Sequence, residues 1–319
     1  MSNIGKITAF VIFMVVFLSP VFAESDYEFS VTPSIGMLYG RANEIVYKDS
    51  VSGDFLSELQ WNIKPLFYTG LAADIGPADS FAKLGFIGSL SFKMGIPQKT
   101  GITEDRDWDD TYYWVPSGTL TNYSRHNNFT ERAIMADLSL GYSFPLLNFI
   151  ALGINLDFSF MHYYWNAKDG YYQYLDIGQT WADGIPKISV EGTVMEYTQN
   201  WFILSPGVLI KFRLGSYFSL NGNFNYSPLI YCADIDEHPL KDTTYKDFLY
   251  YGHYLIGSGG LTFSPLDYLD LTLFLSYSSI ADSRGNIYQN SGKYINQAGA
   301  GYSAFDIGLS ARFRFFGWR

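Results

Sequence analysis

From residue 150 to 160, Ile150, Leu152, Ile154, Leu156, Phe158 and Phe160 alternate with Ala151, Gly153, Asn155, Asp157 and Ser159. An extended chain with that spacing has one apolar face and one small or polar face, so the period of two predicts a strand. The pattern recurs. Ile134, Ala136, Leu138, Leu140, Tyr142 and Phe144 alternate with Asp137, Ser139, Gly141 and Ser143. Leu269, Leu271, Leu273 and Leu275 stand against Asp270, Thr272 and Ser276, and Phe305, Ile307, Leu309, Ala311, Phe313 and Phe315 against Asp306, Gly308, Ser310, Arg312 and Arg314. In a soluble sandwich the apolar face would be the core. In a membrane barrel it faces lipid while the polar residues line the lumen.

Ten such segments can be placed, at 27 to 47, 54 to 76, 80 to 97, 129 to 144, 148 to 168, 190 to 212, 216 to 233, 245 to 264, 268 to 284 and 299 to 318. Four connections are tight, at Gly76-Pro77-Ala78-Asp79, Pro145-Leu146-Leu147, Leu214-Gly215-Ser216 and Ser264-Pro265-Leu266-Asp267, and the other five are longer and more polar. An even-stranded meander with both termini in the periplasm requires that alternation of short turns and long outer loops. The expected fold is all-β, a ten-stranded antiparallel transmembrane β-barrel with extended extracellular loops. Its strands exceed the roughly nine to eleven residues that a bilayer needs, so the barrel is expected to stand above the membrane. A barrel of this size is narrow enough for its own side chains to fill much of it, which counts against a wide porin.

The amino terminus gives the compartment. Lys6 precedes an apolar run from Ile7 to Leu18, followed by Ser19-Pro20-Val21-Phe22-Ala23. A run of only about a dozen residues is short for a spanning helix and suits a signal peptide cut after Ala23. An uncleaved anchor is the rival reading. The chain then divides into a signal peptide over 1 to 23 and a barrel over 24 to 319.

Composition agrees with export to an outer membrane. Aromatic residues make up 18% of the chain and charged residues 16%, which suits a barrel with aromatic girdles better than a soluble enzyme surface. The single cysteine, Cys232, cannot form an internal disulfide. A net charge of −10 argues against nucleic acid and favours cationic partners.

Two short patches carry the candidate chemistry: Glu104-Asp105-Arg106-Asp107-Trp108 and Asp234-Ile235-Asp236-Glu237-His238. By the strand count they meet at one rim, with Asp105 and Asp107 in the loop after the third strand and Asp236 and His238 at the outer end of the seventh. A histidine oriented by one carboxylate and facing a carboxylate pair can activate water, because the imidazole takes the proton while the acids fix its tautomer and hold the nucleophile. Parity opposes this placement. Phe218, Leu220, Phe224 and Tyr226 should face lipid, yet Asp234, Asp236 and His238 share their even numbering, so a bulge or a change of twist near Ser227-Pro228 has to reverse the facing.

The chain resembles the omptins, ten-stranded outer-membrane endopeptidases, from about Val31 to Phe315. Asp105-Arg106-Asp107-Trp108 is similar to the family's Asp-x-Asp-Trp motif, Asp236-Glu237-His238 to its Asp-Glu-His motif, Ser124-Arg125-His126 to a Ser-Arg-His stretch of an outer loop, and Tyr39 to Tyr47 to its first strand. The resemblance implies that His238 deprotonates a water while Asp236 orients it and Asp105 and Asp107 hold that water, without a covalent intermediate. It also implies that Glu44 and Asp234 line the pocket for the residue before the cut, so that basic peptides or proteins are the substrates. One of two close carboxylates tends to stay protonated, which would let the Asp105/Asp107 pair accept from water and donate to an oxyanion.

Ser124 and His126 are candidates for supporting roles. No Gly-x-Ser-x-Gly elbow surrounds Ser124, which argues against a serine nucleophile. No metal is expected, since there is no fixed-spacing His or Cys cluster, and no cofactor. Dependence on lipopolysaccharide is left open because 158 to 162 lacks the arginine with which family members hold it. Asn122 stands where relatives can carry an acid, which leaves preference after the cut open. The expected form is a monomer in outer-membrane lipid. The competing functions are an omptin-fold binding or adhesion protein with little turnover, and a small passive channel.

Overall fold

The computed structural model describes residues 27–289 and 292–316. Residues 1–26, among them the expected signal peptide over 1 to 23, and Gly317-Trp318-Arg319 lie outside the described residues. The strands are β1 (Tyr27–Tyr47), β2 (Phe55–Pro77), β3 (Gly85–Gly95), β4 (Gln98–Asp107), β5 (Asn122–Leu147), β6 (Ile150–Tyr174), β7 (Ile188–Leu214), β8 (Phe218–Ser227), β9 (Ile230–His238), β10 (Thr243–Leu266), β11 (Leu269–Gln289) and β12 (Gly292–Phe316). All pairings are antiparallel, and β1 pairs with both β2 and β12, which closes the ring. β3 and β4 lie end to end between β2 and β5, and β8 and β9 lie end to end between β7 and β10. The barrel therefore has ten staves, as expected from the sequence.

Three boundaries differ from expectation in ways that matter. The third stave starts at Gly85 rather than near 80, because Asp79 builds a turn of its own: its carbonyl accepts from the amides of Ala82 and Lys83, and its side chain from Phe81. More importantly, this stave runs on to Asp107 and the next begins at Asn122. Asp105, Asp107, Ser124 and His126 thus stand on paired strands and not in a loop. The period-two signal fades there because the register shifts between Lys99 and Gly101, between Arg125 and Asn127, and between Thr130 and Arg132. Gly101 sits at φ 116°, which an L side chain rarely adopts.

Outside, exposed apolar side chains form a belt, with Leu138, Leu140, Leu156, Leu271, Leu273, Ile307 and Leu309 among them. A continuous apolar surface of this kind is what a bilayer covers. The belt ends near Tyr39 in β1 and Tyr226 in β8, and the strands continue beyond it, away from the chain termini.

Inside, side chains cross the bore. Tyr68 of β2 donates to Asp306 of β12 at 2.6 Å, and Lys93 of β3 reaches the same carboxylate at 2.6 Å. Arg312 pairs with Glu28 at 2.7 Å, and the Tyr163 and Tyr302 hydroxyls meet at 3.0 Å. Above them Trp61 and Trp165 stack against Tyr197, with ring centroids at 5.5 and 5.8 Å, and all three are fully buried. Among the described residues, these side chains pack into a floor across the interior. It carries the cleft described next.

Candidate active site

The first question is which way β9 faces. In β8 the even residues Phe218, Leu220, Phe224 and Tyr226 are exposed, whereas in β9 the even residues Ile230, Cys232, Asp234 and Asp236 are buried. The facing does reverse, at Pro228-Leu229. Against β7, Gly207 pairs with Asn225 but Ile203 pairs with Ile230, so one extra residue has been inserted between the two segments. Proline cannot donate to the ladder, and Ser227 clasps the break: its hydroxyl donates to the Leu204 carbonyl and accepts from the Leu229 amide at 2.8 Å. One inserted residue turns every later side chain to the opposite face.

His238 ends β9, immediately before a short 3-10 turn over Pro239–Lys241. Its Nε2 lies 2.5 Å from Asp236 Oδ2, which leaves Nδ1 as the nitrogen to accept a proton. Burial of the ring works against the imidazolium, but the Asp236 carboxylate outweighs it and holds the His238 pKa above its ordinary value. Asp236 itself is buried.

Across the cleft, on the far side of β5, β6 and β7, Asp105 and Asp107 project from β4. Asp105 is buried and Asp107 partly so. Burial first, and Asp107 second, push Asp105 up to about 8. Burial also raises Asp107, tempered by hydrogen bonds from Ser57 and Asn122. Asn122 donates to Asp107 Oδ2 at 3.3 Å, and Ser57 to Asp105 Oδ1 at 3.4 Å. His238 and Asp236 both bear on the ionisation of Asp105, and the Lys241 ammonium on His238, Asp105 and Asp107, so the two pairs share one space. Such a site can hold a water between an acceptor imidazole and a carboxyl pair that retains a proton.

Deeper in the cleft lies a second group of acids. Glu44 of β1 is buried, and its pKa is raised well above the usual range by burial and by Asp236, Asp234, Asp247 and Asp105. Asp234 is likewise buried and raised, by burial and then by Asp247, although Tyr197 donates to its Oδ2 at 3.0 Å. Asp247 was not among the residues singled out in the sequence. It stands opposite Asp234 on β10 and is pushed up to about 8 by burial and by Asp236. The pairing of β9 with β10 reveals it, since Asp247 and Leu249 are both buried on the inward face of β10.

Ser124 and His126 are near the pair on β4 but bonded to each other. His126 Nε2 lies 2.9 Å from Ser124 Oγ, and its Nδ1 lies 2.7 Å from the Asp169 carbonyl. Ser124 pairs directly across from Asp105 in the ladder. Both ring nitrogens of His126 are engaged within the wall, and burial lowers its pKa. Among the described residues, no group of three or more His, Cys, Asp or Glu is arranged to hold a metal ion.

These surroundings separate the histidines in titration. In NMR of folded protein with labelled imidazoles, His238 should titrate above the ordinary value of about 6.5 and His126 below it. The reverse order would mean that Asp236 does not hold His238.

The chain is 27% identical over 288 residues to the plasminogen activator of Yersinia pestis, covering 86% of this chain and 84% of that protein. It is 27% identical over 242 residues to the outer membrane protease OmpP of Escherichia coli strain K12, covering 73% of this chain and 72% of that protein. The crystal structure of the outer membrane protease OmpT from Escherichia coli superposes with a TM-score of 0.80 at 22% identity, over 90% of this chain and 97% of that one, which establishes the shared barrel fold. The model of the Omptin family matches residues 25–315, and by that match across nearly the whole barrel the chain belongs to the Omptin family.

Proposed function

We propose that this protein is an outer-membrane endopeptidase that cleaves after basic residues with its cleft facing the cell exterior. In this reading His238 Nδ1 takes a proton from a water held by Asp105 and Asp107, and the water oxygen attacks the scissile carbonyl carbon. Asp236 stabilises the imidazolium that results. The carboxyl of the Asp105/Asp107 pair that keeps its proton donates to the oxyanion. When the C–N bond breaks, the imidazolium returns its proton to the leaving amine. No side chain bonds covalently to the substrate. The observation that carries the reading is the His238–Asp236 contact of 2.5 Å in the same cleft as the buried Asp105. The names of the relatives, a plasminogen activator and an outer membrane protease, support it.

The test is hydrolysis of a fluorogenic peptide containing Arg-Arg by purified folded protein, with and without lipopolysaccharide. Turnover that falls by about two to four orders of magnitude in His238→Ala is expected. Comparing the two arms decides the lipid dependence. A folded protein that binds such peptides without cutting them in either arm would instead be a binding or adhesion protein.

Orientation has its own test. Val51 and Ile177 are highly exposed in loops at the end away from the termini, whereas Ser216 lies in a turn at the other end, and native Cys232 is fully buried. Val51→Cys and Ile177→Cys should react with an impermeant maleimide on intact cells, and Ser216→Cys should not. The reverse pattern would put the cleft on the periplasmic side.

A further inference from the structure

The two carboxyls on β4 are alike in chemistry but not in surroundings. Ser57 of β2 stands opposite Asp107 in the ladder, yet its hydroxyl donates to Asp105 Oδ1 at 3.4 Å, so its one proton does not belong to Asp107. The amide of Asn122 does. Asn122 of β5 pairs with Asp107 in the ladder, and its Nδ2 donates to Asp107 Oδ2 at 3.3 Å. A side-chain amide has a donor end and an acceptor end, so the way it is turned matters. Tyr112, in the outer loop over 108–121, donates its hydroxyl to Asn122 Oδ1 at 3.3 Å, which leaves the Nδ2 end for Asp107. The loop is anchored on both sides of this contact. The Tyr112 ring packs against Trp114 with centroids 5.0 Å apart, and the Trp114 indole donates to the Gln179 carbonyl at 3.1 Å. Next to Asn122, the amide and the hydroxyl of Thr121 both donate to the Asp107 carbonyl, at 2.8 and 3.0 Å.

We propose that Asn122, turned by Tyr112, is a positioning residue that keeps Asp107 the charged member of the pair and leaves the shared proton on Asp105. This rests on the proposed hydrolytic reading of the site, and it gives each acid its own part: Asp107 accepts from the water, and Asp105 donates to the oxyanion. An N–H donor stabilises a carboxylate and not its protonated form. Being neutral, the amide biases the pair without changing its total charge. Burial works in the same sense, since Asp105 is the more buried acid and the charge is costlier there. The remaining groups around the pair do not reverse this order. Lys241, after β9, favours charge on both acids. His238 favours charge on Asp105 and Asp236 opposes it, while Asp109 opposes charge on Asp107. Glu44 of β1 faces Asp105, Tyr245 of β10 faces Asp107, and Tyr174 of β6 faces both.

The test uses the full folded protein and two variants. Asn122→Leu is expected to lower kcat about tenfold or more, the loss that goes with one hydrogen bond to a charged group, with little change in KM. Tyr112→Phe keeps the ring packing, frees the amide to turn, and should give a smaller loss in the same direction. The pH profile of kcat separates positioning from mere support. Asp107 must be charged and Asp105 protonated, so Asp107 contributes to the acid limb together with His238, and Asp105 sets the alkaline limb. In Asn122→Leu the acid limb should move to higher pH while the alkaline limb stays, because Asp105 still loses its proton beside a charged Asp107. Carbon-13 NMR of protein labelled at the aspartate Cγ, assigned with Asp105→Asn and Asp107→Asn, reads the same order without turnover. Asp107 should ionise before Asp105 in unaltered protein, and at higher pH in both variants than in unaltered protein. Ionisation of Asp105 first would overturn the inference, and so would a loss of kcat in Asn122→Leu with the Asp107 titration unmoved. Heat-modifiable gel migration checks folding, and if Asn122→Leu does not fold, Tyr112→Phe decides. Should no peptide be cut, the hydrolytic reading fails while the carboxyl titrations still locate the proton. If peptides are cut but Asp105 ionises first, only this inference falls.

Discussion

His238→Ala is expected to lower kcat by about two to four orders of magnitude while leaving a folded, heat-modifiable barrel, the usual effect of removing a general base. Asp236→Asn should follow it closely, because the Asp236 contact both orients the ring and opposes the burial that would otherwise disfavour the imidazolium. Asp105→Asn combined with Asp107→Asn should be as damaging, since the water would lose its second holder and the oxyanion its donor. Ser124→Ala should retain a substantial fraction of the rate. Ser124 is bonded to His126, and His126 to the Asp169 carbonyl, so neither is poised to exchange a proton with His238. Steady-state kinetics on one Arg-containing peptide across the variants provides the check. A folded Ser124→Ala protein as inert as His238→Ala would remove the water mechanism and restore a serine nucleophile.

The other large effect concerns charge compensation in the pocket. Glu44→Gln should reduce kcat/KM on basic peptides far more than on a neutral one. A cation leaving water must be met by opposing charge, and breaking one side of a buried charge pair typically costs about 2 to 5 kcal/mol. A cleft open at its mouth places the loss near the low end of that range, and Asp234 and Asp247 still supply some compensation. Raised ionic strength should weaken the basic preference through screening. Equal efficiency on matched Arg and Leu peptides at low salt, in unaltered protein, would show that these acids take no part in recognition.

Buried acids also explain why such a pocket can exist in a folded chain. With Asp105 and Asp247 held near 8, and Glu44 and Asp234 raised as well, several of these carboxyls stay protonated at neutral pH. Raised carboxyl pKa values mean that the folded state holds these protons more tightly than the unfolded one. Their stabilising contribution is therefore present at low pH and fades as pH rises through about 8.

Much of this architecture is written in the chain. Alternation such as that of Ile150 to Phe160 is a local property, since each side chain's face follows from its own number, and the short-long series of connections then orders the staves and gives them sidedness. The two acidic patches were also legible as chemistry, because carboxylates beside a histidine have few uses other than proton handling or charge. The limits appear where locality fails. Strands β4 and β5 outran their predicted ends because Gly101 and the shifts near Asn127 and Arg132 interrupt the period without ending the pairing. The sequence could demand a reversal near Pro228, but only the ladder, in which Gly207 meets Asn225 while Ile203 meets Ile230, locates the inserted residue and turns Asp234 and Asp236 inward. Asp247 and Gln199 join Asp234 through pairings between strands distant in sequence. Pairing of that kind is a property of the closed ring. The sequence by itself determined a barrel and the residues able to do chemistry at one end of it; the tertiary structure decided which of them face the cleft and which neighbours they meet, because a one-residue change of register flips a whole face and leaves no local mark on composition.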